Sequence, residues 1–258
     1  IAKTPANHNN DIGMPMAVLS MPEDTEVAVL EMGMNHFREI AYLSNIAAPD
    51  VGVIVNIGTM HIEHLGSREG ILRAKMEILE GMQDKGLLLL NGDDDLLRTQ
   101  KSDGNSQTKF FGWENEAADV LACQVQEEEG ALRFSVKSAG ESFPVALMLE
   151  GRHYVLDAMA AVAVGLSLGV APAQISERLA LFQNMEGRQE IFERSGYTII
   201  KDCYNAGPES MAAALAVLGS RKGRRIAVLG DMLELGSRAS AEHYKVGRLA
   251  AENADMVF

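Results

Sequence analysis

The sequence predicts an α/β protein: a mostly parallel sheet carrying an antiparallel β-meander, followed by the opening of a second, Rossmann-like α/β domain. Three observations predict it. Short apolar runs at 27–30, 51–57 and 86–91 are joined by helix-like segments, the pattern of parallel strands buried on both faces. From residue 120 to 149 the apolar period drops to two. After Gly187, strand-like and helix-like stretches alternate again.

The elements follow in order. Glu31 comes directly after the first run, in Glu31-Met32-Gly33-Met34-Asn35-His36, and His61 comes after the second, in Gly58-Thr59-Met60-His61. Open parallel sheets bind ligands outside the carboxyl ends of their strands, so Glu31 and His61 mark an active-site edge. Residues 67–83 read as a helix, with Ser67 as N-cap and Glu69 in the first turn. Its apolar positions are Ile71, Leu72, Met76, Ile78, Leu79 and Met82, and Lys75 falls inside their arc. A lysine on a buried stripe is costly unless it is paired, neutralised or modified. Alternatively its stem lies on the core while its head reaches water. Spacing leaves both readings open.

Residues 86–91 read as a buried strand and 101–108 as a polar loop. In the period-two stretch, Leu121, Cys123 and Val125 alternate, then Leu132, Phe134 and Val136, then Phe143, Val145, Leu147 and Leu149. Turn signals at 128–130 and 139–140 separate them, which predicts a meander with one wet face. The acidic run 127–129 reads as a solvated turn. Residues 153–168 are alanine-rich and apolar nearly all round, the mark of a buried helix, and a second helix follows Pro172. A hairpin is expected around Ser195-Gly196, from 191–194 and 197–202. A helix at 208–218, a strand at 225–229 and a helix at 241–251 come next. Ile1 is not a start methionine and 255–258 reads as a strand beginning, so the chain reads as an internal piece of a longer protein.

Bulk properties narrow the function classes. With 258 residues, 47% of them hydrophobic, the chain can build one large core or two smaller ones. A net charge of −13 argues against a nucleic-acid binder, which needs a basic footprint. No apolar run approaches the roughly 18 residues that span a bilayer. Cys123 and Cys203 lie far apart with no secretory signal, which suits a cytoplasmic protein with reduced thiols. The sequence holds no Gly-x-x-x-x-Gly-Lys-Ser/Thr loop and no Gly-x-Gly-x-x-Gly fingerprint after a strand. Gly230-Asp231-Met232 has a single glycine. His61-Ile62-Glu63-His64 could bring two imidazoles near one zinc ion, but a zinc site needs further ligands and no cysteine is close.

Several segments nevertheless match a known pattern in order. They are 7–15 (Asn-His-Asn-Asn-Asp-Ile-Gly-Met-Pro), 31–36, Asn56-Ile57-Gly58-Thr59-Met60-His61, 66–70, Ala74-Lys75, Gly187-Arg188, 202–208 (Asp-Cys-Tyr-Asn-Ala-Gly-Pro) and 230–236 (Gly-Asp-Met-Leu-Glu-Leu-Gly). Nearly the whole chain resembles the Mur ligases, ATP-dependent amide-forming enzymes of peptidoglycan synthesis. The Asn-Asn-x-x-Gly-x-Pro opening and the Glu-x-Gly-x-x-His run resemble one branch of it. That branch implies UDP-N-acetylmuramoyl-tripeptide and D-alanyl-D-alanine as substrates.

The resemblance implies a central ATPase-type domain over residues 1–186 and the start of a C-terminal domain over 187–258. It implies that ATP phosphorylates a terminal carboxylate and that an amine attacks the acyl phosphate. Glu31 would hold magnesium between the ATP phosphates, and His61 would help hold a second magnesium. Lys75 would be carbamylated by CO2, giving a hard cation an oxygen ligand. Arg188 would face the ATP phosphates and Asp202 the ribose hydroxyls. Asp157 would meet the adenine, and Asn10 and Asp11 the muramoyl substrate. A cytoplasmic monomer is expected, with no nucleic acid or membrane span.

Three positions depart from the family pattern. Tyr154 and Asp157 stand where asparagine is usual, and Lys201 where aspartate commonly precedes Asp202. The resemblance also places the family's phosphate loop and uridine-binding domain before residue 1. The 258 residues alone are therefore expected to lack ligase activity. Competing readings are a non-catalytic fragment or inactive paralogue, and a folate-glutamylating sister ligase, which the Asn9-Asn10 segment disfavours.

Overall fold

The computed structural model describes residues 1–102, 106–128 and 130–258. The backbone gathers into two compact units, residues 1–57 with 64–110, and residues 58–63 with 111–258.

The first unit opens with β1 (Ala2–Lys3), α1 (Gly13–Leu19) and β2 (Ala28–Val29), β1 and β2 pairing in parallel. The expectation of a doubly buried strand at 27–30 fails here. β2 is two residues long, both exposed, and its ladder partner among the described residues is the equally short β1. With no second neighbour of that kind and no covering face, Val29 stays 56% exposed.

The core of this unit lies under α2 (Glu39–Ala47), β3 (Val51–Ile54), α4 (Arg68–Met76) and β4 (Leu87–Asn91), with the single turn α3 (Ile62–Leu65) lying before α4. β3 and β4 pair in parallel from Val51 with Leu87 to Ile54 with Leu90. Leu88, Leu89 and Leu90 are fully buried, each contributing roughly 1.5–3 kcal/mol, and this is the run of strand residues the apolar pattern predicts. Ser67 caps α4, its hydroxyl accepting from the Gly70 amide at 3.2 Å. The helix is shorter than the predicted 67–83. It ends at Met76 and tightens into a 3₁₀ turn, Glu77–Glu80. The Glu77 carboxylate explains the change: it accepts from the Arg38 amide at 2.9 and 2.8 Å and from the Ala41 amide at 3.3 Å, so it satisfies the orphan donors at the start of α2.

β5 (Gln107–Gly112) begins beside β4 in the first unit and ends beside β6 (Val120–Glu128) in the second, pairing there in parallel. It takes up the last residues assigned to the 101–108 loop, whose positions 103–105 lie outside the described residues. β7 (Ala131–Ser138) and β8 (Glu141–Leu147) complete the antiparallel meander. Leu132, Phe134 and Val136 are buried as the alternation requires. In β6 the parity is reversed: Val120 and Ala122 are buried, Leu121 and Cys123 only partly. A bulge between Cys123 and Gln126, with Gln124 at φ 55°, resets the register, because one extra residue moves every later side chain to the other face. Nor is the acidic turn merely solvated. Glu127 accepts from the Gly151 amide at 3.0 Å and pairs with Arg152 at 3.4 Å, while Glu129 lies outside the described residues.

Helices α5 (His153–Ser167) and α6 (Pro172–Ala180) follow, then the hairpin β9 (Glu190–Arg194) and β10 (Tyr197–Lys201). Ser195 and Gly196 both take positive φ, 53° and 80°, the two-residue turn whose twist suits a hairpin. α7 (Pro208–Gly219), β11 (Ile226–Ala227), α8 (Ala239–Asn253) and β12 (Met256–Val257) close the chain, with β11 and β12 parallel. Leu215, Ala227, Met232, Leu235, Val246 and Ala250 form their core. Among the described residues no helix is long and apolar enough to cross a membrane.

Among the ion pairs of this unit, one is well shielded from water. Arg221 pairs with Glu150, and their side chains are only 22% and 16% exposed. Removing one partner leaves a charge without its counterion in a poorly hydrated place. Nε and Nη2 of Arg221 make no hydrogen bond of good geometry among the described residues, so the contact is an ion pair alone and the low end of the usual range applies. Arg221→Ala should cost about 3 kcal/mol in urea unfolding; a cost under about 1 kcal/mol would mean water already screens the pair.

Candidate active site

In the first unit the backbone leaving β3 is gripped from several sides. Asn91 Nδ2 donates to the Val55 carbonyl at 2.9 Å, Lys75 Nζ to the Asn56 carbonyl at 2.7 Å, and Arg68 Nε to the Ile57 carbonyl at 3.0 Å. Asp94 Oδ2 accepts from the Ile57 amide at 2.8 Å. Arg68 is itself held by a forked contact to Asp95 at 2.9 and 2.5 Å, which keeps that carboxyl below the usual range. The two readings of Lys75 thus meet. Its helix face is apolar, with Ile71, Ala74 and Ile78 buried, and its half-buried head is anchored on a carbonyl at a strand end.

Glu31 follows β2. Its amide donates to Thr4 Oγ1 at 2.8 Å, and its Oε1 accepts from Asn9 Nδ2 at 2.8 Å. Gly33 makes room for this contact, since a Cβ there would lie 2.9 Å from the Asn9 side chain. The Asn10 Oδ1 accepts from the Gly13 amide at 2.7 Å and the Ile12 amide at 3.2 Å, ordering the entry to α1, and Asp11 is exposed.

In the second unit, residues 58–63 are stitched to elements far along the chain. His61 Nδ1 pairs with the Glu234 carboxylate. The Glu63 amide donates to the Glu234 carbonyl at 3.3 Å, and Thr59 Oγ1 reaches both carboxylate oxygens of Glu209 at 2.9 and 3.1 Å. His61 and Glu234 both take the left-handed conformation, φ 61° and 59°, which bulky residues avoid unless their surroundings impose it. His64 lies in the first unit, its ring 4.8 Å from that of His36. Among the described residues no three His, Cys, Asp or Glu side chains are grouped to hold a metal.

The second unit also gathers the three residues of the expected nucleotide site, Asp157, Arg188 and Asp202, around Tyr154. Tyr154 has its hydroxyl pKa raised by burial, eased by Asn184, raised again by the charges of Asp202 and Asp157 and lowered by Arg188. All three therefore lie within electrostatic reach of its ring. Asn184 Nδ2 donates to the Tyr154 hydroxyl at 2.8 Å. The guanidinium of Arg188 lies 4.0 Å from the centroid of the Tyr204 ring, a cation–π arrangement that leaves its planar fork available for an anion. Asp157 is exposed as a residue, yet the protein around its carboxylate strips enough solvent to push its pKa up. Burial pushes the His153 imidazole down, against the charges of Asp202 and Glu127. Lys201 turns to Glu186 at 3.3 Å and Glu190 at 3.6 Å, and the Glu186 contact raises its pKa.

Residues 1–165 match the Mur ligase middle domain, and residues 187–258 match the Mur ligase glutamate ligase domain. The chain belongs to the Mur ligase family. A UDP-N-acetylmuramoyl-tripeptide--D-alanyl-D-alanine ligase of Bacillus subtilis is 42% identical over 262 residues, covering 100% of this chain and 56% of the relative. The Escherichia coli protein of the same name is 34% identical, covering 96% and 55%. Among solved structures, MurF from Acinetobacter baumannii superposes with a TM-score of 0.93 at 36% identity, covering 99% of this chain and 56% of that one. MurF from Thermotoga maritima, solved in complex with ADP, gives 0.88 at 31% identity, covering 99% and 59%. The chain thus spans about half the length of the Mur ligases it matches. Asn91, Asp94, Glu209 and Glu234 escape a linear reading, because each acts on a group distant in sequence. Glu234 lies in the family-like segment 230–236, and its partner His61 stands 173 residues before it.

Proposed function

We propose that the protein to which this chain belongs is an ATP-dependent amide ligase of the cytoplasm, acting as a monomer. It joins D-alanyl-D-alanine to UDP-N-acetylmuramoyl-tripeptide through an acyl phosphate. The observation that carries this reading is the 42% identity, end to end, with a relative of that name. We place the central domain at residues 1–186 and the start of the C-terminal domain at 187–258, a division supported by the gap between the two family matches, 165 to 187.

The residues divide the work. Arg188, braced by Tyr204, offers two parallel donors to a phosphate. Asp202 accepts from the ribose hydroxyls. Asp157 meets the adenine: its carboxylate accepts from the adenine amino group, without the donor that the asparagine usual there adds. Asn10 and Asp11 approach the muramoyl substrate.

Glu31 would hold one magnesium ion and His61 would help to hold a second. Glu31 is an anionic oxygen donor, and the Glu234 contact on Nδ1 leaves His61 Nε2 as the ring nitrogen to ligate. Magnesium would supply charge neutralisation at the transferring phosphoryl oxygens. Lys75 as an ammonium is a donor and cannot ligate. After its ammonium loses a proton, Nζ can form a bond to the carbon of CO2 and shed a second proton, leaving a carbamate oxygen pair and one N–H. That N–H can keep the contact with the Asn56 carbonyl. The chemistry therefore fits the lysine without dismantling its anchor.

In the full-length protein, ADP release should require both the UDP-tripeptide and D-alanyl-D-alanine. ADP release with either substrate omitted, or with glutamate and a folate in their place, would overturn this reading.

A further inference from the structure

We propose that Glu234 is a positioning residue for His61: its carboxylate accepts a hydrogen bond from Nδ1–H of the imidazole and so presents the Nε2 lone pair to a divalent cation. This rests on the proposed role of His61 as a magnesium ligand and adds the residue that makes the ligand competent.

Four observations carry it. The Glu234 carboxylate meets His61 at Nδ1, and among the described residues Nε2 has no hydrogen-bond partner. An imidazole whose Nδ1–H is taken by a carboxylate is fixed in the tautomer that leaves Nε2 as an acceptor. Metal-bound histidines almost always hold their other ring N–H this way, which sets ring orientation and raises ligand basicity. Second, both residues stand in left-handed backbone, φ 61° and 59°, a strain that marks an imposed geometry. Third, the contact is anchored twice, since the Glu63 amide also donates to the Glu234 carbonyl at 3.3 Å. Fourth, the strap is held again at Thr59, whose hydroxyl reaches both oxygens of Glu209 on the first turn of α7 at 2.9 and 3.1 Å. The histidine lies 173 residues before its partner, so the C-terminal region sets the tautomer of a residue that follows β3.

The test uses the full-length protein with 15N-labelled histidine and Mn2+ as the probe cation. In the wild type, long-range 1H–15N spectra should show His61 with its proton on Nδ1. In Glu234→Ala the proton should move to Nε2, and Mn2+ affinity by electron paramagnetic resonance should fall about 10- to 100-fold. Glu234→Gln keeps an acceptor for Nδ1–H without the charge and should fall between, a graded response that a merely structural loss would not give. An unchanged tautomer and unchanged Mn2+ affinity in Glu234→Ala, with the fold intact by circular dichroism, overturns the proposal. The two readings separate through His61→Ala. If it leaves Mn2+ affinity unchanged, His61 is no ligand and both fail. If it weakens Mn2+ while Glu234→Ala does not, only the positioning role fails.

Discussion

Replacing Lys75 with arginine in the full-length protein is expected to lower kcat by about 10³-fold, the scale of losing one preorganised electrostatic group, while leaving the fold nearly as stable. Arginine keeps a cationic donor for the Asn56 carbonyl, which Lys75 Nζ contacts at 2.7 Å, but it cannot become a carbamate. Lys75→Ala removes both properties. It should show the same loss of turnover plus about 1 kcal/mol of stability from the missing hydrogen bond. The two variants thus separate the anchor from the chemistry. Intact-mass measurement at neutral pH should find the wild type heavier by one CO2 and the arginine variant without it. Near-normal turnover in Lys75→Arg would rule out the carbamate and leave the lysine as a clamp on the backbone.

The second large effect is on stability. Gly81→Ala should cost about 3 kcal/mol or more in urea unfolding. A Cβ on Gly81 would stand 2.1 Å from the Ser44 carbonyl carbon, 2.2 Å from its oxygen and 2.4 Å from the Asn45 nitrogen. These are backbone atoms of α2, and Ser44 is fully buried. No rotamer change relieves the clash, so the helix or the turn after Glu80 has to shift. Gly223→Ala is the control. Gly223 has φ 89° and nothing near its missing Cβ, so it should pay only the left-handed backbone penalty, about 1–2 kcal/mol. Equal losses in the two variants would mean that the close approach of Gly81 to α2 contributes nothing.

Much of the fold was legible because local signals and tertiary demands agree. The run at 86–91 is fully apolar and becomes a buried strand. Ser195-Gly196 can adopt the turn the hairpin needs, and Pro172 opens α6. Legibility failed where a distant group decided the outcome. Nothing local distinguishes β2 from a core strand; its exposure depends on what pairs with it. The end of α4 is set by Glu77 reaching the start of α2. The bulge in β6 rests on one residue, Gln124, taking a positive φ that glutamine does not advertise. In the site, the placement of Lys75 on an apolar arc was readable from spacing, whereas its target is a main-chain oxygen and has no letter in the sequence. The grouping of Tyr154, Asp157, Arg188 and Asp202 joins segments that only folding brings near.

The grip on residues 55–57 locates the instructions for that loop. Three successive carbonyls are answered by Asn91, Lys75 and Arg68, and the Ile57 amide by Asp94. Every one of these side chains belongs to a segment after the loop, and none belongs to the loop itself. The letters Val-Asn-Ile therefore do not encode their own shape. Transplanted onto another strand, Val55, Asn56 and Ile57 would lose the contacts that hold them unless the four holding residues travelled with them.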